Sequence, residues 1–121
     1  MRTFVEISRA ALAANFQALR ATVGEGVEIL AVVKADAYGH GAVETARTLA
    51  AAGAGWFAVT SVDEGIELRR HGIGGRLVVL AEFSRDILNA VAEHNLTLVI
   101  HTVEQLRELA AWARGREICP R

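Results

Sequence analysis

The chain has 121 residues, enough for one modest domain. With 52% hydrophobic and 22% charged residues it has a globular composition, not that of a disordered chain. A formal net charge of −1 without a basic cluster gives no electrostatic case for a nucleic-acid or membrane-surface partner. No apolar run is long enough to span a bilayer, and Glu6 and Arg9 interrupt the stretch that a signal peptide would need apolar, so a cytoplasmic protein is expected. Cys119 is the only cysteine, which leaves no disulfide framework and no zinc spacing, and it is given no role.

Met1–Ile7 reads as a short extended segment. A helix follows from Ser8 as N-cap, with Leu12, Phe16, Leu19 and Val23 on one face at helical spacing. Val27–Val33 reads as a buried strand and Gly41–Ala52 as a helix, closed by Gly53 and Gly55. Trp56–Thr60 is the next strand, and Ser61 with Glu64 forms a capping-box pattern opening a helix that ends near Gly72. Arg76–Leu80 is a further strand. Ser84 is expected to cap a short helix carrying Ile87, Leu88 and Val91, stopping near Asn95. Leu96–Ile100 is the last strand. Thr102 and Gln105 cap a final helix whose inner face is predicted to be Leu106, Leu109, Ala110 and Ala113.

Strands without polar alternation, each followed by a helix, predict an α/β fold with a parallel sheet covered by helices. No low-complexity linker divides the chain, so residues 1–121 are expected to form one unit. Periodicity alone does not choose between an open doubly wound sheet and a closed barrel. An eight-unit barrel takes about 250 residues, roughly twice this length.

The stretch that suggests chemistry is Ala31–Gly41, AVVKADAYGHG. Lys34 is the only lysine of the chain and falls at the carboxyl end of a strand, where parallel α/β folds place their active sites. Partial desolvation of an ammonium group favours the neutral amine, the form that attacks a carbonyl. Tyr38 offers a phenolic donor. Gly39 and Gly41 allow a tight path into the next helix, whose free N–H groups could face an anion. A lysine at a strand end is also, and more commonly, a solvated surface residue. His40 and Asp36 read as a loop hydrogen-bonding residue and a turn or cap residue. These residue types alone name a candidate nucleophile and no more.

AVVKADAYGHG closely resembles the pyridoxal-phosphate (PLP) attachment motif of the alanine racemase family. VEISRAALAANFQAL, WFAVTSVDEGIELRRHGI and RLVVL are similar to that family's start, second strand and helix, and third strand, so the resemblance runs over roughly Thr3–Ala113. It implies the amino-terminal half of a PLP-binding TIM-type (β/α)8 barrel: about four βα units after a short pre-barrel strand and helix. The rest of the barrel and the family's β-rich carboxyl-terminal domain are expected to lie outside these 121 residues. By motif, Lys34 matches the lysine that forms the internal aldimine and acts as one of two bases. Tyr38 matches the tyrosine that contacts the PLP phosphate. Leu80 falls at a strand end that lines the cofactor pocket.

The implied function is interconversion of L- and D-alanine for cell-wall precursor supply, with PLP as cofactor and a homodimer as the full-length assembly. The family's second base, a tyrosine, comes from the carboxyl-terminal domain of the partner subunit. The chain by itself is therefore expected to be an inactive fragment. Glu117–Arg121 does not continue into the family's usual next strand. A non-catalytic PLP-binding barrel module is the alternative, and an inert product that keeps the motif is a third reading.

Overall fold

The computed structural model describes residues 1–114 and residue 116. Cys119 and the Glu117–Arg121 tail singled out above lie outside the described residues. The elements run α1 (Arg9–Val23), β1 (Leu30–Val32), α2 (Lys34–Tyr38), α3 (Ala42–Ala51), β2 (Trp56–Val59), α4 (Val62–Arg70), β3 (Arg76–Val79), a 3-10 turn (Arg85–Ile87), α5 (Leu88–Glu93), β4 (Leu96–Leu98) and α6 (Val103–Ala113).

The four strands pair in chain order, β1-β2-β3-β4, and every pairing is parallel. Right-handed crossovers between sequential parallel neighbours put all the helices on one face of a sheet. The buried residues follow that rule. Phe57, Val59, Leu77, Val79, Leu96 and Leu98 alternate onto the helix side, where they meet Val62 and Leu68 of α4 and Leu88 and Val91 of α5. The opposite face carries Leu30, Val32, Trp56, Ala58, Arg76, Val78 and Thr97. There Leu30 and Val32 on edge strand β1 remain exposed, and the Arg76 guanidinium lies 4.7 Å from the Trp56 ring centroid.

Local signals set most element boundaries. The Ser8 hydroxyl accepts the Ala11 N–H at 3.1 Å, and the Thr102 hydroxyl accepts the Gln105 N–H at 3.1 Å. Ser61 and Glu64 form the expected capping box. Gly65 lets α4 approach β4 closely, since a Cβ there would stand 3.1 Å from a Leu96 methyl. At the amino ends of the strands, the Arg69 guanidinium donates to the carbonyls of Ile73, Gly75, His94 and Asn95 at 2.8–3.0 Å. Burial pulls this guanidinium below its ordinary range, but its pKa starts so high that it stays charged.

Several expectations are corrected. Residues 1–8 form no strand and pair with none of the four, and Phe4 and Val5 are exposed. The strands are one to four residues shorter than the apolar runs, because pairing stops where a neighbour's register ends. Ser84 occupies the N-cap position of the 3-10 turn but makes no side-chain cap bond. Of the α1 face only Phe16 is buried; Leu19 and Val23 are exposed, since the helix leans on α3 along one narrow line. The inner face of α6 is set by Trp112, whose Nε1 donates to the Asn89 side chain at 3.2 Å. Leu109 and Ala113 are half-buried, whereas Leu106 and Ala110 are exposed.

Candidate functional site

Residues 34–41 form a structured turn where the sequence suggested a loop. Ala35, Asp36, Ala37 and Tyr38 all have φ between 51 and 56°, so α2 winds left-handed. That conformation costs an L-residue about 1–2 kcal/mol each. It persists here because the surroundings over-determine it. The Ala37 N–H reaches the Val33 carbonyl at 3.0 Å, and the Gly41 N–H reaches that of Asp36 at 2.9 Å. The Ala37 methyl is buried. Gly39 (φ 85°) and Gly41 (φ 84°) release the chain into α3, which is the tight path their positions predicted.

Asp36 is the cap residue that the sequence suggested. Its Oδ1 accepts the Ala42 N–H at 2.8 Å, the first of α3. This corrects one expectation: the leading N–H of that helix is not free for an external anion, because a carboxylate of the chain already occupies it. His40 bonds locally through Nδ1 to the Ala37 carbonyl at 3.0 Å, as a loop residue would.

Lys34 is half-buried and directly follows Val33, whose own N–H bonds to the Ala58 carbonyl at 2.9 Å. Val33 is buried on the helix side, and projecting the β1 alternation one residue past it puts Lys34 at the edge of the open face, with Leu30 and Val32. Continuing the strand register by two residues sets Lys34 level with Thr60 on β2 and Leu80 on β3. Lys34 and Leu80 thus share one layer of the open face at the carboxyl rim, about 10 Å apart across two strand spacings. Lys34 takes part in none of the ion pairs formed among the described residues. Tyr38 closes the left-handed turn and is 62% exposed.

A feature not foreseen from sequence is that side chains lace the rim together beyond the last strand bonds. The Glu64 carboxylate accepts the Ala35 N–H at 2.8 Å through one oxygen. Through the other it accepts the N–H groups of Thr60 at 2.7 Å and Ser61 at 3.0 Å, tying the β1 end to the β2 end. Glu82, beyond β3, accepts the Val62 N–H at 2.6 Å beyond β2. His101 Nε2, beyond β4, lies 2.8 Å from the Leu80 carbonyl. Each neighbouring pair of strand ends therefore has its own side-chain tie. The capping-box pattern announced Glu64 as a local cap, but nothing near it in sequence pointed to Ala35.

Among the described residues no group of three or more His, Cys, Asp or Glu side chains could hold a metal ion, and no helix is long and apolar enough to cross a membrane. The residues at the rim do fit a phosphorylated aldehyde such as PLP. They offer a single primary amine at a strand end, a phenol at the other end of the same turn, and an apolar wall at Leu80.

Comparison with known proteins agrees with this architecture. Residues 7–119 match the family described as alanine racemase, N-terminal domain. Alanine racemase of Synechocystis sp. is 44% identical over 105 residues, covering 86% of this chain and 28% of the relative. Alanine racemase 1 of Bacillus subtilis is 40% identical over 108 residues, covering 89% of this chain and 28% of the relative. The crystal structure of alanine racemase from E. faecalis superposes with a TM-score of 0.82 at 34% identity, over 86% of this chain and 28% of that one. Histidine racemase from Leuconostoc mesenteroides superposes with a TM-score of 0.84 at 30% identity, over 94% of this chain and 30% of that one. The chain spans under a third of the length of these relatives, and its four βα units correspond to the amino-terminal half of an α/β barrel. The chain belongs to the alanine racemase N-terminal domain family.

Proposed function

We propose that these residues form the cofactor-anchoring part of a PLP-dependent amino-acid racemase acting on alanine, with Lys34 as the attachment residue and one of the two bases. The observation that carries this reading is the place of Lys34: the only lysine, half-buried, directly beyond the carboxyl end of β1 in a parallel sheet. Lys34 would hold the cofactor through its amine, the Tyr38 hydroxyl would donate to its phosphate, and Leu80 would line its pocket.

When bound, PLP supplies an electron sink that stabilises negative charge at the substrate Cα. With the cofactor bound, Lys34 Nζ would take or return the Cα proton on its own side. Inversion requires a second base on the opposite side. By resemblance to the family, that base would be a tyrosine of the partner subunit in a homodimeric full-length protein, and Tyr38, the only tyrosine of this chain, is assigned to the phosphate instead. The names of the relatives support alanine as substrate, and a soluble cytoplasmic setting follows from such a role.

The test is to add PLP, reduce with borohydride and locate the modification by mass spectrometry. An adduct at Lys34, absent from Lys34→Ala, is expected, together with Lys34-dependent uptake of solvent deuterium at the alanine Cα. No adduct at Lys34 overturns the reading. An adduct without deuterium uptake favours a binding module instead.

A further inference from the structure

The lysine that the proposed function relies on sits on costly backbone. Four consecutive residues after Lys34 are left-handed, and none is glycine. Ala35, the first of them, would relax readily unless its N–H were held. Its N–H points to Glu64 Oε1 at 2.8 Å, across 29 positions of sequence. The second oxygen of that carboxylate is engaged by the N–H groups of Thr60 and Ser61. Thr60 is level with Lys34 on the open face. The Ser61 hydroxyl accepts the Glu64 N–H at 3.3 Å, a cap bond at the start of α4 that is separate from the carboxylate's bond to Ala35. One carboxylate therefore registers the Lys34 peptide against the neighbouring strand end. A capping box accounts for the Ser61 hydroxyl and for the bond from the Ser61 N–H to Glu64, but not for the bond from Ala35.

We infer that Glu64 is a positioning residue for Lys34: its carboxylate clamps the Ala35 N–H to the β2 end, which holds the left-handed turn and aims the Lys34 amine across the open face. The inference rests on the proposed role of Lys34. Both carboxylate oxygens are required, because they face N–H donors on two different strand ends. Glutamine keeps the shape but offers one oxygen, and its amide N–H₂ then opposes a backbone N–H.

The test compares wild type, Glu64→Gln and Ser61→Ala by amide hydrogen exchange and by PLP titration with borohydride trapping. In E64Q the Ala35 amide is expected to exchange about tenfold faster, and the Lys34 adduct to form with roughly tenfold weaker PLP affinity. S61A removes the cap hydroxyl without touching the Ala35 tie. It is expected to loosen the start of α4 and leave the Lys34 adduct unchanged. Unchanged Ala35 exchange in E64Q overturns the clamp. Faster exchange with unaltered PLP affinity overturns the positioning role, as does an equal loss of affinity in S61A, which would mark a stability effect. A wild-type chain that forms no adduct overturns the cofactor reading of Lys34, while Ala35 exchange still decides the clamp.

Discussion

The Asp36 carboxylate accepts the Ala42 N–H at 2.8 Å, so a residue in left-handed conformation caps the helix that begins six positions later. Asp36→Ala removes the cap and is expected to cost about 1–2 kcal/mol in urea unfolding. Asp36→Asn keeps the accepting oxygen and tolerates the left-handed backbone, so it should lie within about 0.5 kcal/mol of wild type. Equal losses in the two variants would show that charge rather than the oxygen position matters.

The handedness of α2 makes a second prediction. Ala35 has φ 51° and an exposed side chain, so glycine there removes the steric penalty without opening a cavity. The gain of about 1–2 kcal/mol is partly offset by the greater entropy of glycine in the unfolded chain. Ala35→Gly is expected to raise stability by about 0.5 kcal/mol, read as a higher denaturation midpoint at unchanged slope. A loss of stability would mean that the backbone at Ala35 is not left-handed.

Gly75 is left-handed at φ 70°, and a Cβ there would overlap the Gly55 carbonyl oxygen. That carbonyl also accepts the Arg76 N–H at 2.9 Å, so it has little freedom to withdraw. Gly75→Ala is expected to destabilise by about 2 kcal/mol or more, combining steric overlap with an unfavourable φ. Gly72→Ala, also at positive φ but with open space around a Cβ, is expected to cost about half as much. Thermal unfolding of the pair separates the two contributions.

Arg69 serves four carbonyls from two loops at once. Arg69→Met fills similar space but leaves those oxygens without their donor, and a loss of about 2–3 kcal/mol is expected. Arg69→Lys keeps the charge on a compact head that cannot span the same fork, and should recover less than half of that loss. A full recovery in the lysine variant, seen in denaturant unfolding, would show that charge alone holds the loops.

The helix starts were legible because their causes are local. Ser8, Ser61 and Thr102 each bond an N–H three residues on, and a sequence displays that spacing directly. Lys34 was legible in the same way, as a solitary lysine closing an apolar run before a glycine-punctuated turn. The strands were legible in type but not in length, since β1 retains only Leu30–Val32 of the apolar run from Val27.

Tertiary structure decided what depends on a distant neighbour. Alanine-rich KADAY carries no glycine and, by propensity, favours a right-handed helix. Its left-handed winding is held by Glu64 from the next unit and by burial of Ala37. The inner face of α6 passed from Leu106 to Trp112 because Asn89 lies where the indole N–H can reach it. The sequence by itself determined the alternation of the four paired strands with helices, the caps at Ser8, Ser61 and Thr102, and which residue is the candidate nucleophile. Only the packed fold decided the hand of the turn beside Lys34, the layer it shares with Leu80 and the carboxylate that holds it there, because each depends on parallel register between strands whose pairing no local segment encodes.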